Sequence, residues 1–200
     1  MEPELKPRLI IVAGPNGSGK TTITEKLLRH EWMQGCEYVN PDIIAQQQFG
    51  SWNSPEAVIK AANQAQIIRD KCLAEKKSLA FETVFSSPEK LDFVKRAKAA
   101  GFFIRFFYVC TSDPTINAQR VALRVMEGGH DVPISKIISR YYRSIALCIQ
   151  ALPGLDRAYF YDNSVSEADP RLLFRVNEGK LAKVYEESVS WAEEIMQSLT

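Results

Sequence analysis

No stretch of this chain is apolar enough to cross a membrane. The richest, Phe102 to Cys110, carries Arg105 and falls far short of the roughly 20 residues a spanning helix needs. Charge of one sign is not in excess either. With 25 Lys+Arg against 24 Asp+Glu, the net charge of +1 gives no bulk reason to expect a nucleic-acid or membrane partner. Low-complexity tracts are missing. The four cysteines, Cys36, Cys72, Cys110 and Cys148, form neither CxxC nor a Cys/His cluster, so the usual zinc spacings are excluded. Their near-even spacing is not a repeat, because their flanks share nothing. The opening MEPELKPR has acidic residues and no apolar core, unlike a secretory leader, so a cytoplasmic address with reduced thiols is expected. What is present is 46% apolar content in 200 residues, enough for one globular domain over 1–200.

Strand and helix signals alternate along the chain. Leu9 to Ala13 is an unbroken apolar run, as in a parallel strand buried on both faces. A helix from about Thr21 to His30 follows, then a short strand at Tyr38-Val39. Ser54 and Pro55 start a long helix reaching about Lys77. Leu79 to Phe85 reads as the third strand. A helix from Ser87-Pro88 to Gly101, the strand Phe102 to Cys110, and a helix from Asp113-Pro114 to Gly128-Gly129 come next. In the helix after Pro133, the residues Ile134, Ile138, Tyr141, Ile145, Cys148 and Leu152 read as one buried stripe. Ala158 to Tyr161 is a fifth strand. A hairpin (Leu172–Val176 and Leu181–Tyr185) and a C-terminal helix through Trp191 and Ile195 complete the chain. The expected fold is α/β, a P-loop NTPase of kinase-like type, with a mainly parallel five-stranded sheet and helices on both faces.

Between the first strand and first helix, Gly14-Pro15-Asn16-Gly17-Ser18-Gly19-Lys20-Thr21, followed by Thr22, satisfies G-x-x-x-x-G-K-[ST]. Glycines let backbone N–H groups turn inward on phosphate oxygens, and the helix N-terminus adds positive potential. Lys20 would neutralise the β- and γ-phosphates, and the Thr21 hydroxyl would hold Mg²⁺. The chain lacks an LSGGQ-like signature, an N-K-x-D guanine motif and an apolar strand ending in Asp-Glu. Transporter, regulatory-GTPase and motor readings therefore recede, and a small phosphotransferase remains.

GPNGSGKTT, then VNPDIIA, FETVFSS, RVALRVMEGGHDVP, RYYRS and YDNS resemble, in order, the motifs of the zeta-toxin-like P-loop kinases. The resemblance runs from Leu9 to Ser164. It implies ATP- and Mg²⁺-dependent phosphorylation of a small-molecule hydroxyl, in the best-known members that of UDP-N-acetylglucosamine, and a separate antitoxin protein as partner. Asp42 falls where the family has its catalytic aspartate, and a carboxylate there would take or orient the hydroxyl proton. Read without the family, Asp42 also suits the first turn of a helix capped by Asn40. Glu82, at the end of the third strand, falls on the family's acceptor-contacting glutamate. The family's threonine two positions on is Val84 here, with Thr83 adjacent.

Arg120 and Arg124 lie four apart on one helix beside a stripe of Ala118, Val121, Ala122 and Val125, and Arg140 and Arg143 lie on the next. An anion between such arginines turns mild repulsion into a gain. They form a candidate lid, Arg124 and Arg140 for the transferring phosphoryl group, Arg120 and Arg143 for substrate. His130 lies in the connection and reads as structural, and Asn163 as a turn residue near the nucleotide base. A kinase of another metabolite, an antibiotic or a nucleic-acid end, or a non-catalytic nucleotide-binding module, is the alternative.

Overall fold

The apolar run of the first strand ends up in the middle of the sheet, which explains its composition. In the computed structural model, which describes residues 6–50, 54–128 and 132–199, strand β1 (Arg8–Ala13) lies between β3 (Leu79–Thr83) and β4 (Phe103–Cys110). It runs parallel to both, and Leu9, Ile10, Ile11, Val12 and Ala13 are all buried. Strands β2 (Glu37–Val39) and β5 (Arg157–Asp162) extend the parallel set on either side.

The hairpin differs from expectation. Its strands, β6 (Arg171–Asn177) and β7 (Lys180–Val184), add to β5 antiparallel, so the sheet has seven strands in the order β2-β3-β1-β4-β5-β6-β7 rather than five. The cause is apolar pairing across the β5 edge, where the rings of Phe160 and Phe174 stack with centroids 4.3 Å apart. Covering β5 also removes an exposed edge from the strongly apolar centre.

Among the described residues the α-helices are α1 (Lys20–Leu28), α2 (Pro41–Phe49), α3 (Pro55–Ala74), α4 (Pro88–Ala99), α5 (Pro114–Met126) and α6 (Ile134–Ala151) in the connections, and α7 (Ser190–Gln197) after the last strand. Proline occupies the first helical position of α2, α3, α4 and α5. Asn40, Ser54 and Asp113 cap three of these with their side-chain oxygens. One face of the sheet, with Leu9, Ile11, Phe106 and Tyr108, packs in a cluster with residues of α3, α4, α6 and α7. The other, with Ile10, Val12, Phe107 and Val109, packs under α1 and Trp32 of a short 3-10 helix (Glu31–Met33).

The stripe on α6 also needs correcting. Its buried residues are Ile137, Tyr141, Ser144, Ile145, Cys148 and Ala151, while Ile134 and Ile138 are exposed at 64% and 36%. Tyr141, Ile145, Cys148 and Leu152 are buried as the stripe has them, and Ser144 joins that face. Its hydroxyl accepts from Tyr108 Oη at 3.1 Å and donates to the Val84 carbonyl at 2.8 Å, so a polar residue sits in the core without an unpaired group. Among the described residues, no helix is long and apolar enough to cross a membrane.

Candidate functional site

The loop between β1 and α1 takes a shape open to few residues other than glycine. Gly17 and Gly19 have φ of 74° and 91°, and a Cβ on Gly19 would lie 2.0 Å from Asn163 Nδ2. Gly19 also leaves the N-terminus of α1 without a side-chain cap, and the first turn carries no acid. The positive end of the helix therefore meets the loop uncompensated, which suits an anion. Within the loop, the Lys20 ammonium donates to the carbonyls of Gly14 (2.9 Å) and Pro15 (2.8 Å). Burial, with Arg124 and Arg140 adding to it against Glu82 and Cys110, lowers its pKa to about 8. Ser18 is buried beside it, and among the described residues its hydroxyl has no hydrogen-bond partner.

Two asparagines clasp this loop. Asn117, buried on α5, donates to the Asn16 carbonyl at 2.6 Å and accepts from the Thr111 hydroxyl. Asn163, just past β5, donates through Nδ2 to the Ser18 carbonyl at 2.9 Å. Arg120 in turn donates to the Asn163 carbonyl at 2.8 Å, and Arg140 donates to Asn16 Oδ1 at 3.3 Å. The expected apolar stripe of α5 is correspondingly thin. Val121 is buried, Ala118 and Val125 are half-buried, and Ala122 is exposed. Polar clasping by Asn117 takes the place of apolar packing.

Facing the loop, α2 begins at Pro41. Asn40 Oδ1 accepts from the Asp42 N–H at 2.8 Å, so the cap is Asn40's and Asp42 stands in the first turn. Asn40 Nδ2 donates to the Tyr38 hydroxyl at 3.2 Å, and that hydroxyl donates to Glu82 Oε1 at 3.1 Å. Burial, and then the Glu82 charge, raise the Tyr38 pKa, so the phenol stays protonated as the donor. Thr83 is engaged locally, its hydroxyl accepting from the Phe85 N–H at 3.0 Å.

These elements enclose a cleft of about 470 Å³. Asn16, Gly17, Gly19, Lys20 and Thr21 line one wall, and Asp42, Glu82, Thr83 and Val84 the other. Arg120, Arg124 and Val132 border it from the side of α5. Of the remaining sequence candidates, Gly14, Pro15 and Ser18 belong to the loop behind that wall, and Thr22 is exposed on α1. Arg140 meets the loop through Asn16. Arg143 is turned back along its own helix, its Nε donating to the Ser139 carbonyl at 3.4 Å. His130, with Gly129 and Asp131, lies outside the described residues. Tyr38 and Asn117 were not picked out from the sequence, because Tyr38 acts on Glu82 across 44 residues and Asn117 on Asn16 across 101; Asn40 was read only as the cap of the next helix.

The oxygen donors bordering the cleft, the Thr21 hydroxyl and two carboxylates, are the hard ligands that magnesium takes. Among the described residues, no three of His, Cys, Asp and Glu converge as a metal-ligand group.

The fold is that of the P-loop kinases. A matched chain in the AvrRxo1-ORF1:AvrRxo1-ORF2 complex with sulphate ions superposes with a TM-score of 0.68 at 17% identity. The alignment covers 98% of this chain and 64% of that one, so this chain spans about two thirds of that relative's length. A structure from the PezAT chromosomal toxin-antitoxin system of Streptococcus pneumoniae gives a TM-score of 0.64 at 16% identity, covering 99% of this chain and 80% of that one. In sequence, an uncharacterized protein of Haemophilus influenzae is 26% identical over 137 residues, 68% of this chain and 94% of its own length. The AAA_33 family, described as an AAA domain, matches residues 9–139, from β1 into α6, and the chain belongs to that family.

Proposed function

We propose that this chain, as one kinase-like domain over 1–200, transfers the γ-phosphoryl group of ATP to a hydroxyl of a small molecule. The observation that carries this reading is the cleft, where a phosphate-type loop with its lysine faces two carboxylates across one shared space. A module that only bound a nucleotide would have no use for the second wall. The AvrRxo1-ORF1:-ORF2 fold neighbour has a structure with ATP, which supports ATP as the donor.

In this reading the loop N–H groups and Lys20 hold the β- and γ-phosphates. Thr21 would hold Mg²⁺, which when bound neutralises charge on the phosphate oxygens. Asp42 borders the cleft, and capping is already supplied by Asn40, so its carboxylate serves to accept and orient the acceptor hydroxyl proton. Glu82, held on one oxygen by Tyr38, binds a donor group of the acceptor. Arg124 borders the cleft, and Arg140 reaches the loop from α6. Both stabilise charge on the moving phosphoryl group. Arg120 supports the site through the Asn163 carbonyl.

UDP-N-acetylglucosamine is the first acceptor to try. Val84 makes the wall apolar where the zeta-toxin-like family has a threonine, and Thr83 is occupied by Phe85 N–H. The acceptor should therefore present an apolar group or nothing at that point. The toxin-antitoxin fold neighbour supports a separate antitoxin protein as the partner. The test is a panel of nucleotide sugars, nucleotides and cell extract with γ-labelled ATP, with products identified by mass. Label in a small hydroxyl compound supports the proposal. ATP binding with no labelled product across the panel and the extract refutes it.

A further inference from the structure

The sheet face that carries α1 has a second character toward β5, β6 and β7. Across it run two register rows. In one, Arg105 on β4 pairs with Arg157 on β5, which pairs with Asn177 on β6 and then Lys180 on β7. In the next, Phe107 pairs with Tyr159, then Arg175, then Lys183. Residues paired in register point to the same side, so all eight share one face, with neighbouring strands about 4.8 Å apart. Arg8 stands on the same face of β1, where it and Arg105 both act on the Cys36 thiol.

Among the described residues, none of Arg8, Arg105, Arg157, Arg175, Lys180 and Lys183 has a carboxylate within ion-pair distance. Three acids near these strands pair with other cations: Asp156 with Lys98 (2.7 Å), Glu186 with Arg171 (3.2 Å) and Asp169 with Lys26 (2.8 Å). Arg105 and Arg157 are direct cross-strand neighbours of like charge, an arrangement that destabilises a sheet unless an anion joins it. The Nε atoms of Arg105 and Arg175 and Oδ1 of Asn177 are buried without a hydrogen-bond partner among the described residues. Aromatic rings are interleaved with the charges. The Arg105 guanidinium lies 4.1 Å from the Trp32 ring centroid, Trp32 lies beside Phe107 and Tyr159, and Lys183 lies over Tyr185.

We propose that this face binds single-stranded nucleic acid, with RNA as the first probe, its phosphates on Arg157, Arg175, Lys180 and Lys183 and a base against Tyr185, which is exposed at 39%. Cations in rows match a phosphate backbone, and an exposed ring beside them offers a stacking platform that reads no particular sequence. An acidic peptide would use the cations but leave that ring without a role. The surface is distinct from the cleft, which opens at the C-terminal ends of β1 and β3, whereas Arg105 and Arg157 stand near the N-terminal ends of β4 and β5. A neutral net charge conceals it, because each strand contributes only one or two of the cations.

The test is fluorescence anisotropy with a labelled single-stranded RNA of about 12 nucleotides, a length within the usual site sizes. Wild-type protein should bind with a Kd between about 10⁻⁶ and 10⁻⁴ M at moderate salt. Arg157→Gln with Arg175→Gln should weaken binding at least about tenfold and reduce the salt slope by about 1.4, or 0.7 per lost phosphate contact. Lys180→Glu with Lys183→Glu changes exposed positions only and should weaken binding in the same way, so the test does not depend on the first pair folding. ATP binding should be unchanged in both. Three results overturn the proposal: no anisotropy change up to about 10⁻⁴ M wild-type protein, equal binding by the exposed-lysine variant, or displacement of the RNA by poly-glutamate at equal charge.

Discussion

Replacing Lys20 with methionine should alter the pH dependence of folding in a direction set by the site's electrostatics. Burial, with Arg124 and Arg140 adding to it, lowers the Lys20 pKa from 10.5 to about 8. Between those two values the unfolded chain binds more protons at this position than the folded one, so wild-type stability rises with pH across the interval. Below pH 8 the ammonium is charged in both states and its burial costs stability. Above 10.5 it is neutral in both, and the cost is gone. The interval of 2.5 units (10.5 − 8) corresponds to about 3 kcal/mol at 1.36 kcal/mol per unit.

Lys20→Met lacks the titrating group. Wild type should therefore gain on it by about 2 kcal/mol between pH 8 and about pH 9.5. The assay is guanidinium denaturation followed by the fluorescence of Trp32 and Trp191 at several pH values. Tyr38, Tyr108 and Tyr141, whose pKa values burial raises, are common to both proteins and cancel in the comparison. Parallel stability curves over this range would mean that Lys20 keeps an ordinary pKa, and the account of a desolvated, arginine-flanked loop lysine would fail.

Other substitutions probe the two walls of the cleft. Asp42→Asn should lower phosphoryl transfer by about 10² or more while ATP affinity, read by calorimetry, is retained. Arg124→Lys or Arg140→Lys should reduce kcat at least about tenfold, roughly 1.4 kcal/mol, because the planar fork is lost although the charge remains. Gly19→Ala would place a Cβ 2.0 Å from Asn163 Nδ2 at a φ of 91°. It should abolish ATP binding and cost at least about 1 kcal/mol in a denaturant titration. Adding Asn163→Ser should relieve only the contact part of that loss, since the backbone strain persists.

Local features of the chain were legible in the sequence, and long-range ones were not. An apolar run followed by G-x-x-x-x-G-K-T announces β1, the loop and α1, because a buried parallel strand and a glycine-shaped turn each leave a local trace. The proline-marked helix starts at Pro55, Pro88 and Pro114 were legible for the same reason. Alternation marked the hairpin but said nothing of which edge it would join, since that depends on Phe160 meeting Phe174. Periodicity placed Tyr141, Ile145, Cys148 and Leu152 of the α6 stripe correctly but overran it at Ile134 and Ile138, and it passed over Ser144, whose hydroxyl is satisfied by Tyr108 and Val84 on the same buried face. Glu82 was legible as a strand-end residue and Asp42 chiefly through the family resemblance; that both stand opposite the loop in one cleft follows from β2-β3-β1 adjacency. The clasps of Asn117 on Asn16 and of Asn163 on Ser18 span 101 and 145 residues, and no local pattern encodes them.

The central claim, that the phosphate loop and the two carboxylates act together on a phosphoryl group, is tested most directly by mass balance. Wild type, Lys20→Ala and Asp42→Asn are incubated with ATP and the acceptor found in the labelled panel, and ADP and phosphorylated acceptor are both quantified. The account predicts ADP and phosphorylated acceptor in equal amounts from wild type. It predicts neither product from Lys20→Ala, and from Asp42→Asn a loss of transfer with ATP still bound. Wild-type turnover by Asp42→Asn, or ATP consumption unaccompanied by a phosphorylated acceptor, would contradict it.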